Sequence, residues 1–263
     1  MCWRETRSGV LKLNDYDSFF SLLKSSKRTA VLTGAGISTL SGIPDFRSAG
    51  GVYSRKFGSI SVEELLDIDF FTRHPEEFYK WARDGWYSDE VYKPSIVHEA
   101  LKMMEEKNLL SDGIWTQNID SLHTYCGSKQ VYELHGTLRT STCTVCGRKY
   151  TFEETRDRLR ALAWPHCDYC SGLLRPDIVF YGENLDSSLI NRSYSVFSSV
   201  DLTIILGSSL VVNPVATLPQ ITLYNGGKIV IVNRDRTYLD SKAALRFDDL
   251  KEWGEKTYEF LKN

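Results

Sequence analysis

The 263-residue sequence contains no long apolar run: stretches such as "LTIIL" (202–206) and "KIVIV" (228–232) fall far short of the roughly 20 residues that a membrane-spanning helix needs. Its opening, "MCWRETRSGV", has no apolar segment of the secretory kind, so no signal peptide is expected. An excess of either charge is also missing. Lys and Arg number 32 against 34 Asp and Glu, a net charge of −2 that excludes a bulk electrostatic grip on phosphate backbones, so no specific nucleic acid partner is indicated. Six cysteines are too few for a disulfide-stapled secreted scaffold, which points to a reducing cytoplasm. Repeats and low-complexity tracts are absent. Histidines number five, few enough for each to be weighed.

What is present is the alternation of an α/β protein. "RTAVLTGAGIS" (28–38), "GIWTQNID" (113–120), "QVYELHG" (130–136), "DLTIILGSS" (201–209) and "KIVIVN" (228–233) are short, β-branched and apolar nearly throughout, as strands buried on both faces are. Helical patterns lie between them, for example 14–25 with Asn14 as a cap, and 95–107. The expected fold is a doubly wound, parallel, Rossmann-like sheet carrying a smaller zinc-ribbon and helical insertion. Residues 1–42, 95–137 and 177–263 would form the sheet domain, 138–176 the ribbon, and 43–94 a Gly/Ser/Arg-rich loop followed by a helical module.

Cys143-x-x-Cys146 and Cys167-x-x-Cys170, with 20 residues between the pairs, have the spacing of a two-knuckle zinc ribbon. Four thiolates close a tetrahedral shell, so neither His166 nor His135 is needed by the metal. His135 follows a strand in "ELHG", at the carboxyl edge where open α/β sheets bind ligands. Imidazole there suits proton transfer near neutral pH, and the adjacent glycine would let a ligand approach the backbone. His98 and His123 fall on helical patterns and read as packing residues.

"TGAGIS" gives Gly34-x-Gly36 at the end of the first strand, but position 39, where a dinucleotide fingerprint would place its third glycine, is Thr39. Taken alone the pair reads equally as a phosphate cradle and as a tight turn. "GSSL" (207–210) and Asn233 end two further strands and complete the outline of a nucleotide crevice.

Together these pieces resemble the sirtuins, short single-domain members of bacterial or archaeal type, which deacylate protein lysines at the expense of NAD. The resemblance rests on "GAGISTLSGIPDFR" (34–47), "TQNID" (116–120), "LHG" (134–136), the cysteine pairs, "PDIVFYGE" (176–183), "GSSL" and "IVN" (231–233), in family order over nearly the whole chain. It implies transfer of an acetyl group from lysine to ADP-ribose with release of nicotinamide, His135 acting as general base and Asn118 placing the ribose hydroxyls. It further implies NAD contacts from Ala35, Thr39, Phe46, Arg47, Gln117, Ile119, Asp120, Ser208, Ser209 and Asn233, with Leu250 and Lys251 at the adenine. Val179, Phe180, Gly182, Glu183 and Asn184, with Val211, Val212 and Asn213, would flank the acyl-lysine and its peptide strand. The implied partner is an acetylated lysine of a protein. The oligomeric state stays open, with a monomer as the default.

Read without the family, Phe46 is a core residue, Asp45 a cap or salt-bridge residue left outside the site, and Asp120 a possible cap. Family members that remove succinyl groups carry Tyr-x-x-Arg; here Tyr79 is followed by Ala82, with Arg83 turned about 100° away on a helix, so acetyl is expected over succinyl. Rival readings are removal of another acyl type, ADP-ribosyl transfer to protein, a non-catalytic zinc-ribbon module and a dehydrogenase. The missing third glycine disfavours the last.

Overall fold

The computed structural model describes residues 14–46, 51–54 and 56–263. Six strands form one sheet: β1 (Thr29–Thr33), β2 (Ile114–Thr116), β3 (Val131–Glu133), β4 (Leu202–Leu206), β5 (Lys228–Val232) and β6 (Leu245–Phe247). Every neighbouring pair is parallel, and the order across the sheet is β6-β5-β4-β1-β2-β3. This is the doubly wound order, whose strand sequence reverses between β1 and β4 and opens a crevice there.

Period-two side-chain alternation explains why both faces are apolar. In register, Val31, Ile114, Ile204 and Val230 point to one face, where they join Phe19, Leu23, Val97, Leu101 and Trp253 from flanking helices. Leu32, Trp115, Ile205 and Ile231 point to the other, against Phe197, Val215 and Leu218. Neither face is left for solvent. Among the described residues no helix is long and apolar enough to cross a membrane.

A second body sits over the carboxyl edge. Strands Gly136–Cys143, Lys149–Thr151 and Leu174–Ile178 make an antiparallel sheet that carries helix Phe152–Ala161. The short helices Val62–Leu65, Ile68–Arg73 and Pro75–Asp84 pack on it through a shared core of Phe71, Phe78, Tyr79, Leu159, Ile178 and Phe180. The ribbon and the helical module therefore share one core.

Helix Ile96–Glu106 begins with a capping box in which the usual Glu or Gln at the third position is replaced by His98. The His98 Nδ1 accepts from the Ser95 backbone N–H at 3.1 Å, and its ring lies 4.7 Å from that of His123, centroid to centroid. The reading of both histidines as packing residues agrees with their burial. Burial lowers the His98 pKa from 6.5 to about 4, and burial with the neighbouring His98 holds His123 well below 6.5. Both rings are neutral in the folded chain, so their contribution is complete above pH 6.5 and is lost as pH falls toward 4. Each imidazole should cost about 1.4 kcal/mol per pH unit in that window. His98→Gln keeps a capping-box acceptor and removes one titration. Its thermal midpoint should therefore fall about half as far as that of the unaltered chain between pH 7 and pH 5. An equal fall in both proteins would refute the coupling.

Candidate active site

A cleft of about 840 Å³ lies between the two bodies, over the carboxyl ends of β1, β2 and β4. Its floor is built by backbone contact. Gly34 N–H donates to Leu206 O at 3.0 Å and Gly36 N–H to Gly207 O at 2.9 Å. A Cβ on Gly34 would stand 2.7 Å from Gly207 O, and one on Gly36 2.7 Å from Gly207 Cα. The two glycines thus let the first turn lie flat against the β4 turn, and both also line the cleft. Both glycine amides are spent on carbonyls of the β4 turn, so the tight-turn reading holds for them, while Ala35 between them lines the cleft.

Side chains are locked around this floor. Gln117 Nε2 donates to Ser208 Oγ at 2.8 Å, joining the β2 and β4 turns across the crevice. The buried Asn118 donates from Nδ2 to Gly34 O at 3.2 Å and to Ser38 Oγ at 3.1 Å, which directs its carboxamide oxygen away from those groups. His135 sits two residues past β3 with Nδ1 3.1 Å from Gln117 O. A carbonyl partner requires the proton on Nδ1, so Nε2 holds the lone pair that a base needs. Val179 N–H donates to His135 O at 2.9 Å, so the base and the neighbouring wall are fixed to each other through backbone.

The cleft is lined by Ala35, Thr39, Phe46, Gln117, Asn118, Ile119 and His135, by Ser208, Ser209 and Asn233, and by Leu250 and Lys251 at its far end. Val179, Phe180, Gly182 and Glu183 line it from the side of the second body, and Val212 and Asn213 from the segment after β4. Three of the described expected residues do not. Arg47 lies outside the described residues. Asp120 is turned inward: it accepts from Ser38 Oγ at 2.7 Å and caps the next helix by accepting from Leu122 N–H at 2.9 Å, and burial raises its pKa. Asn184 and Val211 lie outside the lining and are exposed, Val211 by 61%. Glu183 lines the cleft, yet its carboxylate is held by Arg175 and by the Phe180 N–H at 2.9 Å.

Other lining residues were not expected. Asp45 belongs to the lining after all, along with Tyr53, Trp86, Tyr181, Asp248 and Asp249. Gly136 has a different purpose from the one expected: a Cβ there would stand 2.2 Å from Asp177 O, so the glycine admits a crossing strand and not a ligand. Tyr79 and Ala82 are fully buried outside the lining, and Arg83 Nη2 donates to Leu162 O at 2.7 Å. Among the described lining residues the only Lys and Arg are Arg234 and Lys251, next to Asn233 and Asp249 and away from Val179 and Phe180. Among the described residues the cation beside the acyl wall is Arg175, which is outside the lining, 5.1 Å from the Phe180 ring and paired with Glu183.

The four cysteines of the paired motifs converge, with all four Sγ atoms within 4.8 Å of one another. Cys143–Cys170 and Cys146–Cys167 sulfur separations are 3.4 and 3.6 Å. Thiolates about 2.3 Å from a tetrahedral zinc ion stand roughly 3.8 Å apart, so the set fits zinc. Tyr150 Oη and the Tyr169 N–H add donors to Cys167 Sγ at 3.1 and 3.4 Å. Among the described residues no cysteine lines the cleft, and His135 is not in the cluster.

Comparison with known proteins agrees with this site. The sequence profile of the Sir2 family matches residues 34–214. An NAD-dependent protein deacetylase of Thermotoga maritima is 46% identical over 242 residues, covering 92% of this chain and 96% of that one. A Sir2 structure containing a deacetylated p53 peptide and 3'-O-acetyl ADP ribose superposes with a TM-score of 0.87 at 43% identity, covering 94% of this chain and 98% of that one. A Sir2 structure with a p53 peptide and NAD+ gives 0.83 at 45% identity, covering 92% and 97%.

Proposed function

The chain belongs to the Sir2 family, and from that premise we propose that it removes acetyl groups from protein lysines, consuming NAD and releasing nicotinamide. NAD, when bound, supplies the ADP-ribosyl group that receives the acetyl group. The observation that carries the reading is the cleft that brings the Gly34–Gly36 floor, Asn118 and the Nδ1-anchored His135 together.

The chain's own groups divide the work. The amides of Ala35, Ser208 and Ser209, with the side chains of Ser208, Ser209 and Asn233, are assigned to the dinucleotide, and Leu250 and Lys251 to its far end. Ala35, Thr39, Phe46, Gln117 and Ile119 are assigned to the same ligand. Asp120 lies behind the lining and is retained as a ligand for the nicotinamide amide only through rotation away from Ser38; Arg47 is assigned on the family motif alone. Asn118 orients a ribose hydroxyl with its carboxamide oxygen. His135 Nε2 takes a proton from that sugar, and the Gln117 carbonyl stabilises the imidazolium that results.

Val179, Phe180, Gly182, Glu183, Val212 and Asn213 flank the acyl-lysine, with Asn184 and Val211 on the outer edge where a peptide strand would pair. An apolar passage accepts neutral acetyl-lysine without the desolvation cost of an ammonium. The zinc stays in the four-cysteine cluster as a brace, and cysteines kept as metal ligands and not as disulfides fit a reducing, cytoplasmic setting. All named groups come from one chain, so a monomer suffices.

The test is nicotinamide release from NAD with and without an acetyl-lysine peptide, and again with the succinyl version. Release should depend on the acetyl peptide and be at least about 10-fold slower with succinyl, whose carboxylate would be desolvated without a partner. Peptide-independent release, or faster desuccinylation, would overturn the reading.

A further inference from the structure

Tyr53 and Tyr181 lie 128 residues apart in sequence, both line the cleft, and their hydroxyls are hydrogen-bonded to each other. Each belongs to a different wall. Tyr53 is tied to the cofactor loop: its N–H donates to Phe46 O at 2.9 Å, and its ring lies 5.3 Å from that of Phe46. Tyr181 continues the substrate wall that begins at Val179. Its N–H donates to Leu66 O at 2.8 Å and its carbonyl accepts from Ile68 N–H at 2.9 Å, so its backbone is held while its ring reaches over the cleft. The residue is 38% exposed, within reach of a peptide lying along 182–185.

The bond between the two ring hydroxyls joins the loop carrying Phe46 directly to the substrate wall, alongside the core that Phe46, Tyr53 and Phe180 share. When Tyr181 is held by a peptide, Tyr53 and with it Phe46 are held as well, and a ligand against Phe46 holds Tyr181 in return. Binding that orders one partner lowers the ordering cost of the other. We propose that the Tyr53–Tyr181 hydroxyl pair is a positioning latch through which the acyl-peptide wall and the cofactor loop make binding of peptide and NAD mutually favourable. The inference rests on the deacetylase reading, and it concerns coupling alone. Neither tyrosine is given a part in the chemistry.

The experiment measures the dissociation constant of a non-hydrolysable carba analogue of NAD, with and without saturating acetyl-lysine peptide. The ratio of the two constants is the coupling factor, and linkage requires the same factor for peptide binding. Tyr53→Phe and Tyr181→Phe each keep the ring and delete the bond, so each should reduce the coupling factor roughly 3- to 10-fold. The double variant should lose no more than either single one, and zinc content and thermal midpoint should stay near those of the unaltered chain. The latch is overturned by coupling in Tyr181→Phe equal to that of the unaltered chain, by single losses that multiply in the double variant, or by an unaltered chain without coupling. A chain that showed coupling but released no nicotinamide would instead sink the deacetylase reading and leave the latch standing.

Discussion

His135→Ala should lower NAD-dependent deacetylation by at least about 100-fold while one zinc ion per chain is retained. That loss corresponds to about 2.7 kcal/mol of transition-state stabilisation. The reason for expecting a clean result is that the side chain and the backbone of this residue do separate jobs. The ring's Nδ1 meets Gln117 O at 3.1 Å, whereas the backbone carbonyl accepts from Val179 N–H at 2.9 Å. Alanine removes the first contact and keeps the second, so the wall formed by Val179 and Phe180 should stay in place. The metal cluster, 143–170, contains no atom of His135. Binding of acetyl peptide and of NAD should consequently change little, and the fall should be in kcat. A variant within about threefold of the unaltered rate would remove His135 from the mechanism, and a variant that lost its zinc would show that the ring is structural.

The strands of this fold were legible where burial on both faces makes the sequence nearly all apolar. "DLTIILGSS" and "KIVIVN" became β4, which ends three residues before its expected limit, and β5, which ends one residue before its own. β6 was not legible. It is three residues long and contains Arg246, whose guanidinium donates to Asp240 at 2.9 Å and to Asn233 O at 2.9 Å, an environment no local pattern encodes. The site divides in a similar way. Short motifs next to strand ends identify Gln117, Asn118 and His135, because strand ends of an open sheet are where side chains converge. What the sequence could not supply were contacts closed by distant chain. Gly36 meets Gly207, Gly136 meets Asp177, and Tyr53 meets Tyr181, pairs that become neighbours only once the sheet and the second body have assembled. The family motif was too coarse at a finer scale: within 182–184 and 211–213 the expected residues included Asn184 and Val211, which are exposed and outside the lining.

Removing the metal is the second large expected effect, and it separates bracing from chemistry. Cys143→Ala should abolish stoichiometric zinc and reduce deacetylation by more than about 10-fold, although Cys143 is no part of the cleft. The route is mechanical. The strands of the ribbon, Gly136–Cys143 and Leu174–Ile178, pair at both ends across a register shift, with Ser141, Thr142 and Cys143 opposite Pro176, Arg175 and Leu174, and Gly136 opposite Ile178. His135 immediately precedes the first strand and Val179 immediately follows the second, so the pairing that the metal clamps ends at the base and at the acyl wall. Loss of a thiolate frees the metal end, and fraying of the pair would let His135 and Val179 part. Zinc-binding free energy in such modules is folding free energy, so a chelator should act on the unaltered chain as the substitution does, with activity returning when zinc is restored. The two variants should then dissociate: His135→Ala inactive with zinc bound, Cys143→Ala impaired because zinc is gone. A metal-free chain that deacetylated at the full rate would mean that the ribbon does not support the site.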